Sequence, residues 1–143
     1  MKIQQISIFV ENKSGRLAEI TQILAQANID IRAMSVADTS DFGILRLIVN
    51  KPNEAIEALK KTGCTVSLTR VIAMGVDDEI GAFAKALKIL TDNNIDIEYM
   101  YAFISRVDGK AFVILRVTNE DKAITVLKEN NLTLMTEAEI YGM

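Results

Sequence analysis

The sequence contains no histidine, a single cysteine and no long apolar run. Without histidine the chain cannot use histidine-based acid–base catalysis, Ser-His or Cys-His nucleophiles, or His-ligated metal sites. Cys64 cannot form an internal disulfide bond, which agrees with a reducing compartment. The apolar stretches are far shorter than the roughly 20 residues that span a bilayer, and Met1-Lys2-Ile3 leads into alternating sequence instead of a signal peptide. We therefore expect a cytoplasmic protein.

Positive charge is also sparse. The 143 residues include 16 Lys and Arg against 19 Asp and Glu, a formal net charge of −3, and no basic run. This composition lacks the electrostatic footprint of nucleic-acid binding and disfavours membrane surfaces. Hydrophobic residues make up 50% and charged residues 24%, which is ordinary for a globular protein with a sizeable core. The length fits one compact domain, or two small domains that share a core.

One short segment occurs twice. Residues 28–34, Asn-Ile-Asp-Ile-Arg-Ala-Met, return at residues 94–100 as Asn-Ile-Asp-Ile-Glu-Tyr-Met, an offset of 66. The offset is 70 between Arg46 and Arg116 and 68 between Leu59 and Leu127, so the insertions fall in turns. The chain is therefore predicted to be one unit written twice, with domains at residues 1–69 and 70–143.

Each copy has the periodicity of strand, helix, strand, strand, helix, strand. Ile6, Ile8 and Val10 alternate as in a strand, whereas Leu17, Ile20 and Leu24 recur at helical spacing. Ser14 is a candidate N-cap of that helix, and Asn28 a candidate left-handed end. The first copy is predicted to have strands at 6–10, 29–37, 43–49 and 64–68 and helices at 17–27 and 52–61. The second copy is predicted to have strands at 71–76, 95–105, 111–117 and 132–140 and helices at 79–93 and 121–130.

This βαββαβ order predicts a ferredoxin-like α+β unit, an antiparallel four-stranded sheet with two helices on one face. On the third strands, one set of apolar residues points opposite to a second apolar set, Ile44, Ile48, Phe112 and Ile114 against Leu45, Leu47, Val113 and Leu115. Both sheet faces are therefore apolar, and an exposed apolar face usually indicates a partner. We expect a homodimer through the outer face, although some of these residues could instead lie at protected edges.

Two features that suggest reactivity have simpler explanations. Cys64 corresponds at an offset of 68 to Leu132, a core strand position, and free cysteine commonly behaves as a small buried hydrophobe. The acidic run Asp77-Asp78-Glu79 precedes a helix, where carboxylates cap free N–H groups, and three neighbouring acids are a weak metal signal. We therefore predict no catalytic cysteine, no metal site and no cofactor.

The turn Asn12-Lys13-Ser14-Gly15-Arg16-Leu17 is the stronger candidate for binding. It joins a strand to a helix, with Gly15 where unpaired backbone N–H groups face outward, as in an anion site. Lys13 and Arg16 add positive charge, and Asn12 supplies both a donor and an acceptor. The alternative is that Gly15 only lets the helix pack against the strands. The phosphate-loop patterns are absent.

Residues 10–20, Val-Glu-Asn-Lys-Ser-Gly-Arg-Leu-Ala-Glu-Ile, with the helix to Ala27 and the segment 28–31, resemble the ACT domain, a regulatory module that senses small molecules, most often amino acids. The two copies together cover nearly the whole chain, as in a tandem pair. The resemblance implies that the units pair side by side into a continuous antiparallel eight-stranded sheet with helices on one face. Ser14 stands where the family often has proline, and the second copy keeps only the glycine, Gly81.

The resemblance also implies ligand sites at the seam between units, with the turn of one facing the second strand of the other. It predicts the ligand-binding residues Asn12, Lys13, Ser14, Gly15, Arg16, Leu17, Tyr99, Met100, Tyr101, Phe103, Asp78 and Gly81. Tyr101 and Phe103 would cover the ligand side chain or, equally, fill ordinary core. The acidic turn of the second copy would repel a ligand carboxylate but could face an α-ammonium, so the sites should be unequal. Binding differences should lie where the copies differ, as at Arg16 and Ala82.

No residues remain for the separate catalytic domain that ACT-containing enzymes carry, so the chain is not expected to be an enzyme. The leading interpretation is a non-catalytic regulatory protein that binds a free amino acid and acts either as a sensor or in trans, with a metabolic enzyme as one candidate partner. The alternative is a protein-interaction module that regulates a partner enzyme without a functional ligand site.

Overall fold

The computed structural model describes residues 1–38, 41–103 and 109–142. The chain forms two compact units, an N-terminal unit of Gln4–Thr69 and a C-terminal unit of Arg70–Tyr141 with Met1–Ile3. The strands are β1 (Ile3–Glu11), β2 (Ile31–Asp38), β3 (Phe42–Val49), β4 (Val66–Asp77), β5 (Ile97–Ala102), β6 (Lys110–Val117) and β7 (Thr133–Leu134). The helices are α1 (Arg16–Gln26), α2 (Pro52–Lys61), α3 (Ala82–Asp92), α4 (Glu120–Glu129) and α5 (Glu137–Tyr141).

The N-terminal unit has the predicted order β1-α1-β2-β3-α2-β4, with its strands in the spatial order β2-β3-β1-β4. β3 pairs antiparallel with both β1 and β2, so that Leu45 lies opposite Ile8 and Val36. Alternate residues of β1 and β3 share one core with Leu24 of α1 and Leu59 of α2. Both helices therefore cover the same face of the sheet, which confirms the ferredoxin-like prediction for this copy.

The C-terminal unit repeats the arrangement with the spatial order β7-β4-β6-β5. β6 pairs antiparallel with β4 and with β5, and Leu115 lies opposite Ile72 and Met100. The core contains Ile72 and Leu115 of the sheet together with Leu90 of α3 and Leu127 of α4. The α+β class and the antiparallel pairing are therefore confirmed in both copies.

The predicted total of eight strands is wrong, because the described residues form seven. Residues 64–68 and 71–76 were expected to be separate strands, but Val66–Asp77 is one strand of 12 residues. No glycine or proline interrupts Val66 to Met74, so the chain has no local reason to turn there. β4 consequently ends one copy and begins the next.

The predicted last strand, 132–140, is also wrong beyond Leu134, where a short helix, α5, takes its place. Thr136 and Glu139 form a reciprocal capping box. The Glu139 N–H donates to Thr136 Oγ1 at 3.3 Å, and the Thr136 N–H donates to Glu139 Oε2 at 3.0 Å. This pair satisfies two helix-end donors and favours a helix over a longer strand.

The sequence predicts the C-terminal ends of the helices more accurately than their N-terminal starts. Asn28 and Asn94 have φ values of 58° and 59°, which confirms the predicted left-handed end of the first helix and extends it to the second copy. In contrast, Ser14 is not the N-cap of α1. Gly15 holds that position at φ 82° without a side-chain hydrogen bond, as Gly81 does for α3 at φ 88°.

The outer sheet face is less exposed than predicted. Ile48 and Ile114 are fully buried and Phe112 is 6% exposed, so they do not form an open patch. Phe9 and Phe42 are the exposed large residues on this face of the N-terminal unit, at 50% and 41%, with ring centroids 5.5 Å apart. None of the helices in the described part of the chain has the length and apolar character to cross a bilayer.

Gly75 of β4 leaves room for an aromatic ring, and we expect Gly75→Ala to destabilise the protein. A Cβ there would lie 2.7 Å from Cε1 of Phe112. The ring cannot retreat easily, since it packs edge-on against Phe103 with centroids 6.1 Å apart. Urea denaturation should show a loss of about 1–3 kcal/mol. Phe112→Leu in the same chain should reduce the cost of Gly75→Ala, and an unchanged unfolding midpoint for Gly75→Ala alone would contradict the packing.

Candidate functional site

The turn between β1 and α1 is held by backbone hydrogen bonds. The Lys13 N–H donates to the Glu11 carbonyl at 2.8 Å, and the Arg16 N–H donates to the Lys13 carbonyl at 3.3 Å. Gly15 then begins the helix, and its carbonyl accepts from the Glu19 N–H at 3.0 Å. No side chain caps this end of α1. The positive end of the helix dipole therefore lies beside two cationic side chains.

Glycine is required at position 15 by backbone conformation and not by space. Its φ of 82° is left-handed, and a Cβ built on it would meet no atom within 4 Å. A side chain there would strain the turn and project from it. The prediction that this glycine permits close approach to the backbone is consistent with this geometry.

A small cavity of about 90 Å³ lies beside the turn. It brings together four of the predicted residues, Asn12, Lys13, Arg16 and Leu17. A second cavity of about 280 Å³ shares Lys13 and Arg16 and adds Ser14. The N-terminal half of the predicted site is therefore one concave region with Gly15 at the start of its helix.

Sequence reasoning missed four residues that line the smaller cavity, Val10 and Glu11 of β1, Val36 of β2 and Gly43 of β3. Val36 is an exposed apolar side chain, 47% accessible. Gly43 lies tight against the neighbouring strand, since a Cβ would come 3.1 Å from the Ala37 carbonyl oxygen. An isolated glycine inside a strand is a signal of close backbone approach that could have pointed to this position.

The two cations of the turn are already paired within the unit. Lys13 Nζ lies 2.7 Å from a Glu11 carboxylate oxygen, and Arg16 Nη1 lies 2.9 Å from Glu19 Oε2. Arg16 also reaches Cys64, with Nη2 at 3.7 Å from Sγ. The hydrogen bond that Arg16 donates to the Glu19 carboxylate is the largest cause that raises the pKa of Arg16. A ligand carboxylate would therefore compete with Glu11 more easily than with Glu19, because Lys13 is the more exposed cation.

We expect Lys13→Gln to raise the pKa of the Glu11 carboxyl towards its ordinary value. The hydrogen bond from Lys13, followed by its charge, lowers that pKa now. Because the folded-state pKa is lowered, the pair stabilises the fold at neutral pH and ceases to do so as the pH falls through the pKa of Glu11. A ¹³C NMR titration of the carboxyl measures the shift. Arg16→Gln is the control and should give a smaller rise, and an unchanged pKa in Lys13→Gln would contradict the pairing.

The other predicted residues lie in the C-terminal unit. Met100 lies opposite Leu115 and packs on the helix side of the sheet, against the core. Tyr99 and Tyr101 alternate with it and point to the other face, where Phe103 is 9% exposed and packs against Phe112. The burial of Phe103 fits the alternative of ordinary core packing, whereas Tyr101 is only half-buried. Their role in ligand binding stays a prediction.

Asp78 and Gly81 lie in the turn that precedes α3 and are exposed. The interpretation of the acidic run as a helix cap is wrong, because no side chain caps α3 and its first turn contains no acid. The helix begins at Ala82, three residues after Glu79, so the carboxylates lie ahead of the free N–H groups. In the described part of the chain, no cluster of three or more Cys, Asp or Glu could hold a metal ion.

The family model for the ACT domain pair matches residues 1–143. The chain belongs to this family. The ACT domain pair is a regulatory module. A comparison with curated proteins gave no match.

Several solved structures are similar to this chain. Protein BT0572 from Bacteroides thetaiotaomicron is 42% identical, with a TM-score of 0.93, and the match covers 100% of this chain and 98% of that one. The regulatory subunit of aspartate kinase from Thermus thermophilus is 19% identical, with a TM-score of 0.64 over 88% of this chain and 91% of that one. Its counterpart from Thermus flavus is 18% identical, with a TM-score of 0.59 over 88% and 90%. The last two show the shared fold.

Proposed function

We propose that this ACT domain pair is a non-catalytic regulatory protein that binds a free amino acid at the turn formed by residues 12–17. The observation that carries the proposal is the uncapped start of α1 at Gly15, which lies beside Lys13, Arg16 and a concave surface. Free N–H groups at a helix start favour a carboxylate, and the helix dipole adds to that preference.

The rest of the concave surface suits the other parts of an amino acid. Glu11 lines both cavities and offers a carboxylate to an α-ammonium. Leu17 and Val36 are exposed apolar residues at the smaller cavity and offer contact to an aliphatic side chain. Binding of the zwitterion would exchange the Glu11–Lys13 ion pair for two pairs with the ligand. The other predicted contacts remain predictions, namely Tyr99, Met100, Tyr101, Phe103, Asp78 and Gly81.

The proposal is supported by the regulatory character of the family and by the named role of two structural neighbours as regulatory subunits of aspartate kinase. NMR titration of the ¹⁵N-labelled chain with each of the twenty amino acids tests it. A ligand should shift the amides of residues 12–19 in a saturable manner. Saturable shifts that leave these residues unmoved would place the ligand elsewhere and remove this site.

A second candidate function is a docking module that regulates a partner enzyme without binding a ligand. The exposed pair Phe9 and Phe42 favours it, since adjacent exposed aromatic rings are typical of a contact surface. The same face is the proposed homodimer contact. Light scattering should then give about twice 15.8 kDa, falling towards the monomer in Phe9→Ser. A mass of 15.8 kDa at micromolar concentration would remove the dimer.

A further inference from the structure

The C-terminal unit contains a cavity of about 330 Å³ beside the start of α3. This volume lies within the range of small-molecule sites, roughly 300–1,000 Å³. The lining has an apolar part and a polar part. The apolar part consists of Val76, Ala82, Ala86, Ile89 and Leu132. The polar part consists of the carboxylates of Asp77 and Glu79, the ammonium of Lys85 and the amides of Asn130 and Asn131. All of these residues belong to one unit. The cavity does not include Asp78 or Gly81, the residues predicted from the sequence for this copy.

In the N-terminal copy, an arginine side chain lies in the equivalent region. Arg16 corresponds to Ala82 at the offset of 66, and its guanidinium group reaches Cys64, which corresponds to Leu132 at the offset of 68. The cavity beside Arg16 accordingly has no lining from residues 62–64, whereas the one in the C-terminal copy extends to Leu132. Alanine at position 82 therefore leaves open a space that an arginine side chain occupies in the first copy.

The charges around this space are matched in one copy and unmatched in the other. Glu19, the partner of Arg16, corresponds to Lys85, and Lys13, the partner of Glu11, corresponds to Glu79. Among residues 1–38, 41–103 and 109–142, neither Glu79 nor Lys85 has an ion-pair partner within 4.0 Å. The Glu79 carboxylate and the Lys85 ammonium thus line the same cavity without a direct ion pair between them.

We propose that this cavity binds a small zwitterion with an apolar side chain, either a free amino acid or a short peptide. Its ammonium would pair with Glu79 and with Asp77, whose carboxylate lies 3.9 Å from Lys110 Nζ. Its carboxylate would pair with Lys85, and its side chain would pack on Ala86 and Ile89. The ligand should carry both an ammonium and a carboxylate, because a ligand with a single charge leaves either Glu79 or Lys85 without a partner.

The amides of the lining suit a polar group between the two charges. The Asn130 Nδ2 already donates to the Val126 carbonyl at 2.8 Å, so its Oδ1 is the atom available to accept. Asn131 holds a left-handed conformation at φ 62°, where its counterpart Gly63 has φ 82°. A peptide N–H would satisfy the Asn130 oxygen, which distinguishes a dipeptide from a single amino acid. This site is separate from the one proposed at residues 12–17 and does not depend on it.

The internal repeat supplies the test variant. Ala82→Arg with Lys85→Glu transfers the Arg16–Glu19 pair into the second copy, where the new arginine should fill the cavity and pair with the new glutamate. The fold should tolerate both changes, because the first copy carries the same residues at the same positions of α1. Glu19→Lys is the matched control, since it alters charge on the equivalent helix of the other unit.

The probes are L-leucine, glycyl-L-leucine, isoamylamine and 4-methylpentanoate, added to the full ¹⁵N-labelled chain. Isoamylamine has the side chain and ammonium of leucine but no carboxylate. 4-Methylpentanoate has the side chain and carboxylate but no ammonium. At least one zwitterion should shift the amides of residues 79–86 and 130–132 with a Kd at or below about 1 mM. Each single-charge analogue should bind at least tenfold more weakly. A tighter Kd for glycyl-L-leucine identifies a peptide site, and a tighter Kd for leucine identifies an amino-acid site.

In Ala82→Arg/Lys85→Glu the shifts at residues 79–86 should disappear, while Glu19→Lys should keep them. Absence of saturable shifts at these residues up to 10-fold above that Kd would overturn the proposal. Equal binding of a zwitterion and a single-charge analogue, or unchanged binding in the double variant, would overturn it too. Shifts at residues 12–19 report the other site, so the failure of one proposal is visible separately from the failure of the other.

Discussion

Leu24→Ala and Leu90→Ala are each expected to lower the free energy of unfolding by about 2–5 kcal/mol. Both leucines are fully buried and occupy equivalent positions of α1 and α3, at an offset of 66. Each alanine removes apolar contacts and leaves a cavity between a helix and its sheet. Because the two cores are built alike, the two losses should be similar. Urea denaturation followed by circular dichroism measures them.

Leu68→Ala is the matched control for these core changes. Leu68 lies on β4 with 47% of its surface exposed, so its truncation should cost less than about 0.5 kcal/mol. Comparable losses for Leu68 and Leu24 would contradict the assignment of the core. A negligible loss at Leu90 alone would mean that the second copy does not bury its helix as the first does.

Gly15→Val is expected to weaken amino-acid binding at the N-terminal unit at least 100-fold. Its φ of 82° disfavours any side chain, at about 1–2 kcal/mol for the left-handed conformation. The added isopropyl group would also stand between the backbone N–H groups of α1 and a ligand carboxylate. Isothermal titration with the strongest-binding amino acid measures the loss, and denaturation measures the accompanying strain.

Gly63→Val separates strain from ligand exclusion. Gly63 also has φ 82° and also has no atom within 4 Å of a built Cβ, but it lies after α2, away from the lining of the smaller cavity. Both variants should lose similar stability, and only Gly15→Val should lose binding. Equal weakening by the two substitutions would mean that the turn acts through stability alone.

The fold was largely predictable because it depends on local patterns. Alternation at Ile6 and Ile8, helical spacing at Leu17 and Ile20, and the repeated Asn28 and Asn94 specify elements over a few residues each. Because the unit is duplicated, each element could also be predicted from the equivalent segment of the other copy. The capping box Thr136–Glu139 was also visible in the sequence and marks where the predicted last strand should have ended.

The residues missed at the binding site depend on contacts between distant parts of the chain. The continuous strand β4 could have been predicted locally, because no glycine or proline separates Val66 from Met74. Val36 and Gly43 reach the turn only because β2 and β3 bring them there. The comparison of Arg16 with Ala82 indicated where the two copies would differ in binding. The open cavity could not be predicted in this way, because Asn130 and Leu132, which line it, are distant from Ala82 in the chain.

The proposed function depends on binding of a free amino acid at the turn formed by residues 12–17. Isothermal titration of the full chain against each of the twenty amino acids, repeated on Gly15→Val, tests it most directly. At least one amino acid should bind the wild-type protein with a Kd at or below about 1 mM, and Gly15→Val should lose this binding. Failure of all twenty to bind below millimolar concentration, or binding that is the same in Gly15→Val, would contradict it.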